Sequence, residues 1–176
     1  EPSVGKEELA NLKKVIESNW LSEGQFVREF EDRLRISSNR KFALAFNNCT
    51  AALITGMKSL GIGRGDEVIV QSLVHSADPN AISATGAKPV FSEVNEKTLC
   101  LDIDSIKKVI TPNTKAVLHV ALYGNTSDLD ELNNFCKQNN LFFINDCAPA
   151  LFGTFKNRPI ASYGDFSALS FFADKT

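Results

Sequence analysis

Lys175 follows the apolar stretch Phe166-Ser167-Ala168-Leu169-Ser170-Phe171-Phe172, which reads as a buried strand. A lysine emerging from such a strand would be partly desolvated, which favours the neutral amine needed for Schiff-base chemistry. A lysine taken alone is a solvated surface charge. Asp146 ends the run Leu141-Phe142-Phe143-Ile144, so its carboxylate needs a cationic or proton-donating partner, and a protonated pyridine nitrogen would serve. The alternative is a cap for the turn through Cys147 and Ala148. Asn48-Cys49-Thr50-Ala51-Ala52 leads into a helix, whose amides and dipole could receive a phosphate. In the plainer alternative, Asn48 or Thr50 simply caps that helix. His75 is either a loop residue or a flat ring for a flat ligand, whereas His119, inside Val117-Leu118-His119-Val120, reads as a satisfied core histidine.

The elements that must position these residues follow from periodicity. Apolar residues at helical spacing (Leu9, Leu12, Ile16; then Phe26, Phe30, Leu34) predict helices over 5–18 and 25–36. From Lys41 onward short apolar runs alternate with helical stretches. The predicted order is strand 41–46, helix 50–60, strand 67–71, helix 77–85, strand 88–94, helix 103–110, strand 115–122, helix 127–138, strand 141–146 and strand 166–171. Thr126 and Ser127 stand at the start of the helix ended by Asn139-Asn140. This alternation predicts an α/β layered domain with a largely parallel sheet. In such sheets ligands bind beyond the carboxyl ends of the strands, and polar residues collect there: Asn47 to Thr50, Ser72 to Asp78, Tyr123-Gly124, Asp146, and Phe172 to Lys175. The glycine-rich turn Gly61 to Asp66 falls after a helix and before a strand, so it is no dinucleotide fingerprint.

Composition narrows the partners. The chain has 176 residues, 43% of them apolar, enough for one sizeable core. Its net charge is −2 and it has no basic run, which argues against nucleic acid and anionic membranes and for a small molecule. The polar opening stretch and the lack of a long apolar window predict a cytoplasmic protein. Cys49, Cys100, Cys136 and Cys147 form no CxxC pair, so no metal site or disulfide framework is signalled and reduced, mostly buried thiols are expected.

Taken in order, these segments resemble the DegT/DnrJ/EryC1/StrS family of sugar aminotransferases, which use pyridoxal 5'-phosphate (PLP). The resemblance runs through Trp20-Leu21-Ser22-Glu23-Gly24, Cys49-Thr50-Ala51-Ala52-Leu53, Gly65-Asp66-Glu67-Val68-Ile69-Val70, Gly86-Ala87-Lys88-Pro89-Val90-Phe91, Tyr123-Gly124, Asp146 with Ala148 and Ala150, Gly164-Asp165, and Ser170-Phe171 with Lys175. It implies a three-layer α/β/α large domain of the fold-type I PLP-dependent transferases, with a mostly parallel mixed sheet, truncated before the C-terminal domain. Residues 1–37 would be an N-terminal helical segment and 38–176 a partial PLP-binding domain. By the same resemblance Lys175 would carry the cofactor and shuttle a proton, and Asp146 would keep the pyridine nitrogen protonated. The amides of Cys49 and Thr50 and the Ser170 hydroxyl would hold the phosphate, and His75 would stack on the ring.

The implied reaction moves an amino group from an amino acid, usually glutamate, to a nucleotide-linked keto-deoxy-sugar, closest to 4-aminotransferases such as perosamine synthase, in a homodimer. The alternative is a catalytically silent PLP-fold binding or regulatory fragment, since family members extend beyond the lysine. Pro149, Gln71, Ala121 and Asn145 depart from the family's usual residues, which marks an outlying member.

Overall fold

The computed structural model describes residues 4–173 and Lys175. Five strands form the main sheet in the order β2-β1-β3-β4-β7: β1 (Glu67–Gln71), β2 (Lys88–Ser92), β3 (Thr114–Val120), β4 (Phe142–Asp146) and β7 (Phe166–Ala168). All four pairings are parallel. Antiparallel pairing among the described residues is confined to a small hairpin, β5 (Thr154–Phe155) with β6 (Arg158–Pro159), and to a bridge between Val94 and Leu101.

The layers follow from alternation along each strand. Val68 and Val70, Leu118 and Val120, and Ile144 face one side. There they pack with Leu53 and Met57 of α3 (Cys49–Ser59) and Ala81 and Ile82 of α4 (Ala77–Thr85). Ile69, Val117 and Phe143 face the other side, against Ile106 of α5 (Ile103–Val109) and Leu129, Leu132 and Cys136 of α6 (Leu129–Gln138). Two cores on opposite faces make the α/β layering that the alternation predicts and the three-layer α/β/α sandwich that the family resemblance implies. Each fully buried aliphatic side chain contributes ~1.5–3 kcal/mol relative to exposure. Helix α3 lies so close to the edge strand that a Cβ on Gly56 would sit 2.5 Å from the Phe166 ring, so the contact requires glycine. Gly164, at φ +81°, turns the chain where a side chain would strike the Phe143 carbonyl.

The predicted helices over 77–85, 103–110 and 127–138 and the strands over 67–71, 88–94 and 141–146 recur with ends shifted by two residues at most. Three expectations are corrected, the first being the buried strand over 166–171, which ends at Ala168 and leaves Phe171 and Phe172 exposed. Residues 41–46 form no strand, because no ladder partner lies beside them among the described residues, and Phe42 is 83% exposed. Helix α6 is capped by Asp128, whose carboxylate accepts from the Asp130 and Glu131 amides. Ser127 instead donates to the Leu101 carbonyl. The β5–β6 hairpin, turning on Lys156 and Asn157 at positive φ, is absent from the periodicity because its strands are only two residues long. Helices α1 (Lys6–Glu17) and α2 (Gln25–Ser37) pack loosely: α1 buries no residue and α2 only Leu34.

Candidate active site

The chain runs from β1 outward to β2 and then crosses back to β3 on the other side of β1. This reversal opens a crevice at the carboxyl ends of β1 and β3, where open α/β sheets place ligands. Asp146, the last residue of β4, lies beside that crevice at 5% exposure. Its Oδ1 accepts from the Ala148 amide at 2.7 Å, so the turn-capping role open at the sequence level is present. Burial pushes its carboxyl up. The Ala148 amide, the carboxyl of Asp78, and the charges of Lys175 and His75 act in the opposite direction.

Helix α3 begins at Cys49, with Asn48 as its cap: the Asn48 side chain accepts from the Ala51 amide at 2.8 Å. The Ala52 amide takes the Asn48 carbonyl, which leaves the amides of Cys49 and Thr50 as the open donors of this helix among the described residues. Such a pair, with the helix dipole behind it, suits an anion. The Cys49 thiol is pushed up by burial and then by the charges of Asp146 and Asp78, which outweigh the opposing Lys175. It stays protonated, so the amide of this residue, and not its sulfur, is what the site can use.

Lys175 acts electrostatically on Cys49, Asp78 and Asp146 together, which puts its amine in the same cluster, and its own amide donates to the Phe172 carbonyl at 2.8 Å. Ser170 lines a cleft of about 880 Å³ with Asn48 and Cys49, and its hydroxyl accepts from the Phe172 amide. His75 is exposed in the loop before α4; its Nδ1 accepts from the Ala77 amide at 3.1 Å, which puts the proton of the neutral ring on Nε2.

The structure adds a residue that the sequence placed only at the end of a loop. Asp78, in the first turn of α4, is 2% exposed and meets Asp146. Burial and then the Asp146 charge push its carboxyl up to about 9. Its signal was available: it is the only charged residue in Ala77-Asp78-Pro79-Asn80-Ala81-Ile82-Ser83-Ala84-Thr85.

Behind the site, two of the departures from the family pattern are structural. Gln71 accepts from the Val120 amide and donates to the Leu73 and Leu99 carbonyls. Asn145 accepts from His119 Nδ1 and donates to the Ile160 carbonyl, while His119 Nε2 accepts from the Ser127 amide. Burial holds His119 down to about 4, so it is the neutral core histidine expected.

These residues fit a flat, phosphate-bearing aldehyde with a basic ring nitrogen: open amides for the anion, a buried carboxylate for the nitrogen, and an amine for the carbonyl. The family described as DegT/DnrJ/EryC1/StrS aminotransferases matches residues 2–176. The spore coat polysaccharide biosynthesis protein SpsC of Bacillus subtilis is 42% identical over 99% of this chain and 45% of its own length. The GDP-perosamine synthase of Escherichia coli O157:H7 is 36% identical over 100% of this chain and 49% of its own. A Streptococcus pneumoniae protein solved in its PLP-form superposes with a TM-score of 0.92 at 30% identity, over 99% of this chain and 48% of that one. The chain thus spans about half the length of the curated relatives it matches.

Proposed function

The chain belongs to the DegT/DnrJ/EryC1/StrS aminotransferase family, and from that premise we propose that it is the front part of a PLP-dependent aminotransferase. Its reaction moves the amino group of an amino acid, glutamate in our reading, to the ketone of a nucleotide-linked deoxy-sugar. The donor leaves as a 2-oxo acid. One observation carries the reading: Lys175 and the buried carboxylate of Asp146 share one electrostatic cluster beside the open amino end of α3.

When bound, PLP supplies an electron sink for negative charge at the amino-acid carbon. The amides of Cys49 and Thr50 and the hydroxyl of Ser170 bind the phosphate. The Asp146 carboxylate would accept a hydrogen bond from the protonated ring nitrogen and hold the proton and its positive charge there, which offsets the desolvation of the carboxylate. His75 offers a flat ring to the cofactor's face. Lys175 Nζ would be the amine that holds the cofactor through its aldehyde carbon and, once displaced by the amino donor, would be the base that moves the proton from the substrate carbon to that same aldehyde carbon. SpsC and the perosamine synthase, by their names, favour a sugar substrate for surface polysaccharide or deoxyamino-sugar synthesis. We place residues 1–37 as a helical segment ahead of the cofactor-binding domain 38–176, and we read the protein as a cytoplasmic homodimer. No helix among the described residues is long and apolar enough to cross a membrane, and the apolar face of α1 is exposed.

The test is addition of PLP, borohydride reduction and peptide mapping. A pyridoxyl group fixed on Lys175, and absent from Lys175→Ala, is expected. No adduct, or labelling spread over surface lysines without preference for Lys175, overturns the reading. A second reading, a silent binding fragment, draws on Pro149, one of the departures from the family's usual residues. It would be favoured if cofactor bound and no amino donor converted it.

A further inference from the structure

Two buried carboxyls face each other at the site, and they are not equivalently solvated by the protein. Asp146 Oδ1 has the Ala148 amide. Asp78 Oδ1 is buried and no hydrogen-bond donor faces it among the described residues. Two carboxylates cannot both stay ionised in contact away from water, so one of them keeps a proton. The better-solvated partner takes the charge and the other takes the proton, which then makes a hydrogen bond between them.

We propose that Asp78 is a positioning residue that stays protonated and donates a hydrogen bond to the carboxylate of Asp146, fixing that carboxylate's orientation and confining its charge to the oxygen that meets the cofactor's ring nitrogen. The proposal deepens the function given above and rests on the role assigned there to Asp146. An unprotonated Asp78 would put a second negative charge beside the ring, whereas a neutral donor leaves one carboxylate for one pyridinium. It also spends part of the Asp146 basicity on a protein partner, so the ring nitrogen is held less tightly than by a bare carboxylate.

The surrounding charges agree with this assignment. Desolvation and the Asp146 charge raise Asp78; its amide contact in the first turn of α4 and the Lys175 charge oppose them and are the smaller effects. Around Asp146 stand Lys175, His75 on the loop before α4, and the thiols of Cys49 and Cys147, both pushed up and therefore neutral.

The first measurement is thermal unfolding of the protein, without added cofactor, from pH 5 to pH 9. An acid raised in the folded state keeps a proton that the unfolded chain releases above about pH 4. Its stabilising contribution is therefore full in acid and is lost as pH climbs toward about 9. Asp78→Asn keeps an uncharged donor that does not titrate, so its Tm should gain on the wild type by ~3 °C or more across that range. Parallel curves overturn the proposal. Should the variant not fold, infrared spectra of the wild type with labelled aspartate decide: a protonated-carboxyl band at pH 7 supports the proposal, and carboxylate bands alone overturn it.

The second measurement uses ring-labelled PLP. Asp78→Asn should retain the wild-type nitrogen shift and affinity, whereas Asp78→Ala, which removes the donor, should weaken binding about tenfold and move the nitrogen shift. Wild-type behaviour from Asp78→Ala overturns the proposal. If the wild type takes up no PLP, the functional reading fails, and the unfolding and infrared measurements still decide where the proton sits.

Discussion

The central sheet and the flank formed by α1, α2 and the segments that join and follow them as far as residue 47 both carry many apolar residues, yet they use them oppositely. Strands β1, β3 and β4 are covered on both faces, and their side chains are almost wholly buried. On the flank Leu9, Leu12, Ile16, Trp20, Phe42 and Leu44 are exposed. The difference lies in partners, since a strand buries its residues only where a ladder holds it in register and helices cover it. The flank is tied to the sheet mainly through Arg40, whose guanidinium donates to the carbonyls of Ala161, Tyr163 and Gly164 and to the Ser167 hydroxyl. The candidate site lies along the boundary, with Asp146 and Asp78 rooted in the rigid half and Ser170 and Lys175 beyond the edge strand.

Three substitutions would break or sharpen that contrast. Leu118→Ala, in the middle of β3, should cost ~2–5 kcal/mol in denaturant unfolding, because the helices on that face cannot collapse fully into the cavity. A cost below ~1 kcal/mol would mean that the sheet is far looser than its burial implies. Arg40→Leu should cost ~2 kcal/mol by leaving carbonyls of the 161–164 turn without their donor. It should also raise amide exchange in residues 41–47 well before that of β3. Uniform exchange across both regions would erase the distinction drawn between them. Phe42→Ala should change stability by no more than ~0.5 kcal/mol, since its ring is already in water. A larger loss would show that the ring is buried in solution, by a partner or a second copy.

How much was legible varies by element for a physical reason. The run Glu67–Gln71 and the helix Ala77–Thr85 were read to the residue, because glycine-rich and polar turns bound them and their apolar spacing has one period. Segment 41–46 has the same alternation as a strand, but alternation shows only that a segment could pair, not that a neighbour is beside it. His119 was correctly read as core from its apolar neighbours, while its partners Asn145 and Ser127 could not be, since those contacts join separate strands and loops. Asp78 and Asp146 are 68 positions apart in the chain by their numbers, and nothing local to either announces the other.

The sequence by itself determined the order of the long helices and of the five sheet strands, the parallel α/β class, the strand-end position of Asp146, the placing of Cys49 at the head of a helix, and the family resemblance carried by the ordered motifs. These depend on local periodicity and on which residue types occur in what order. Only the tertiary structure decided that Gln71 and Asn145 are buried hydrogen-bonding struts, that Asp128 and not Ser127 caps α6, and that a second carboxyl stands against Asp146. Each of those depends on how strands distant in sequence come into register, and register is set by the packing of two whole cores rather than by any one segment.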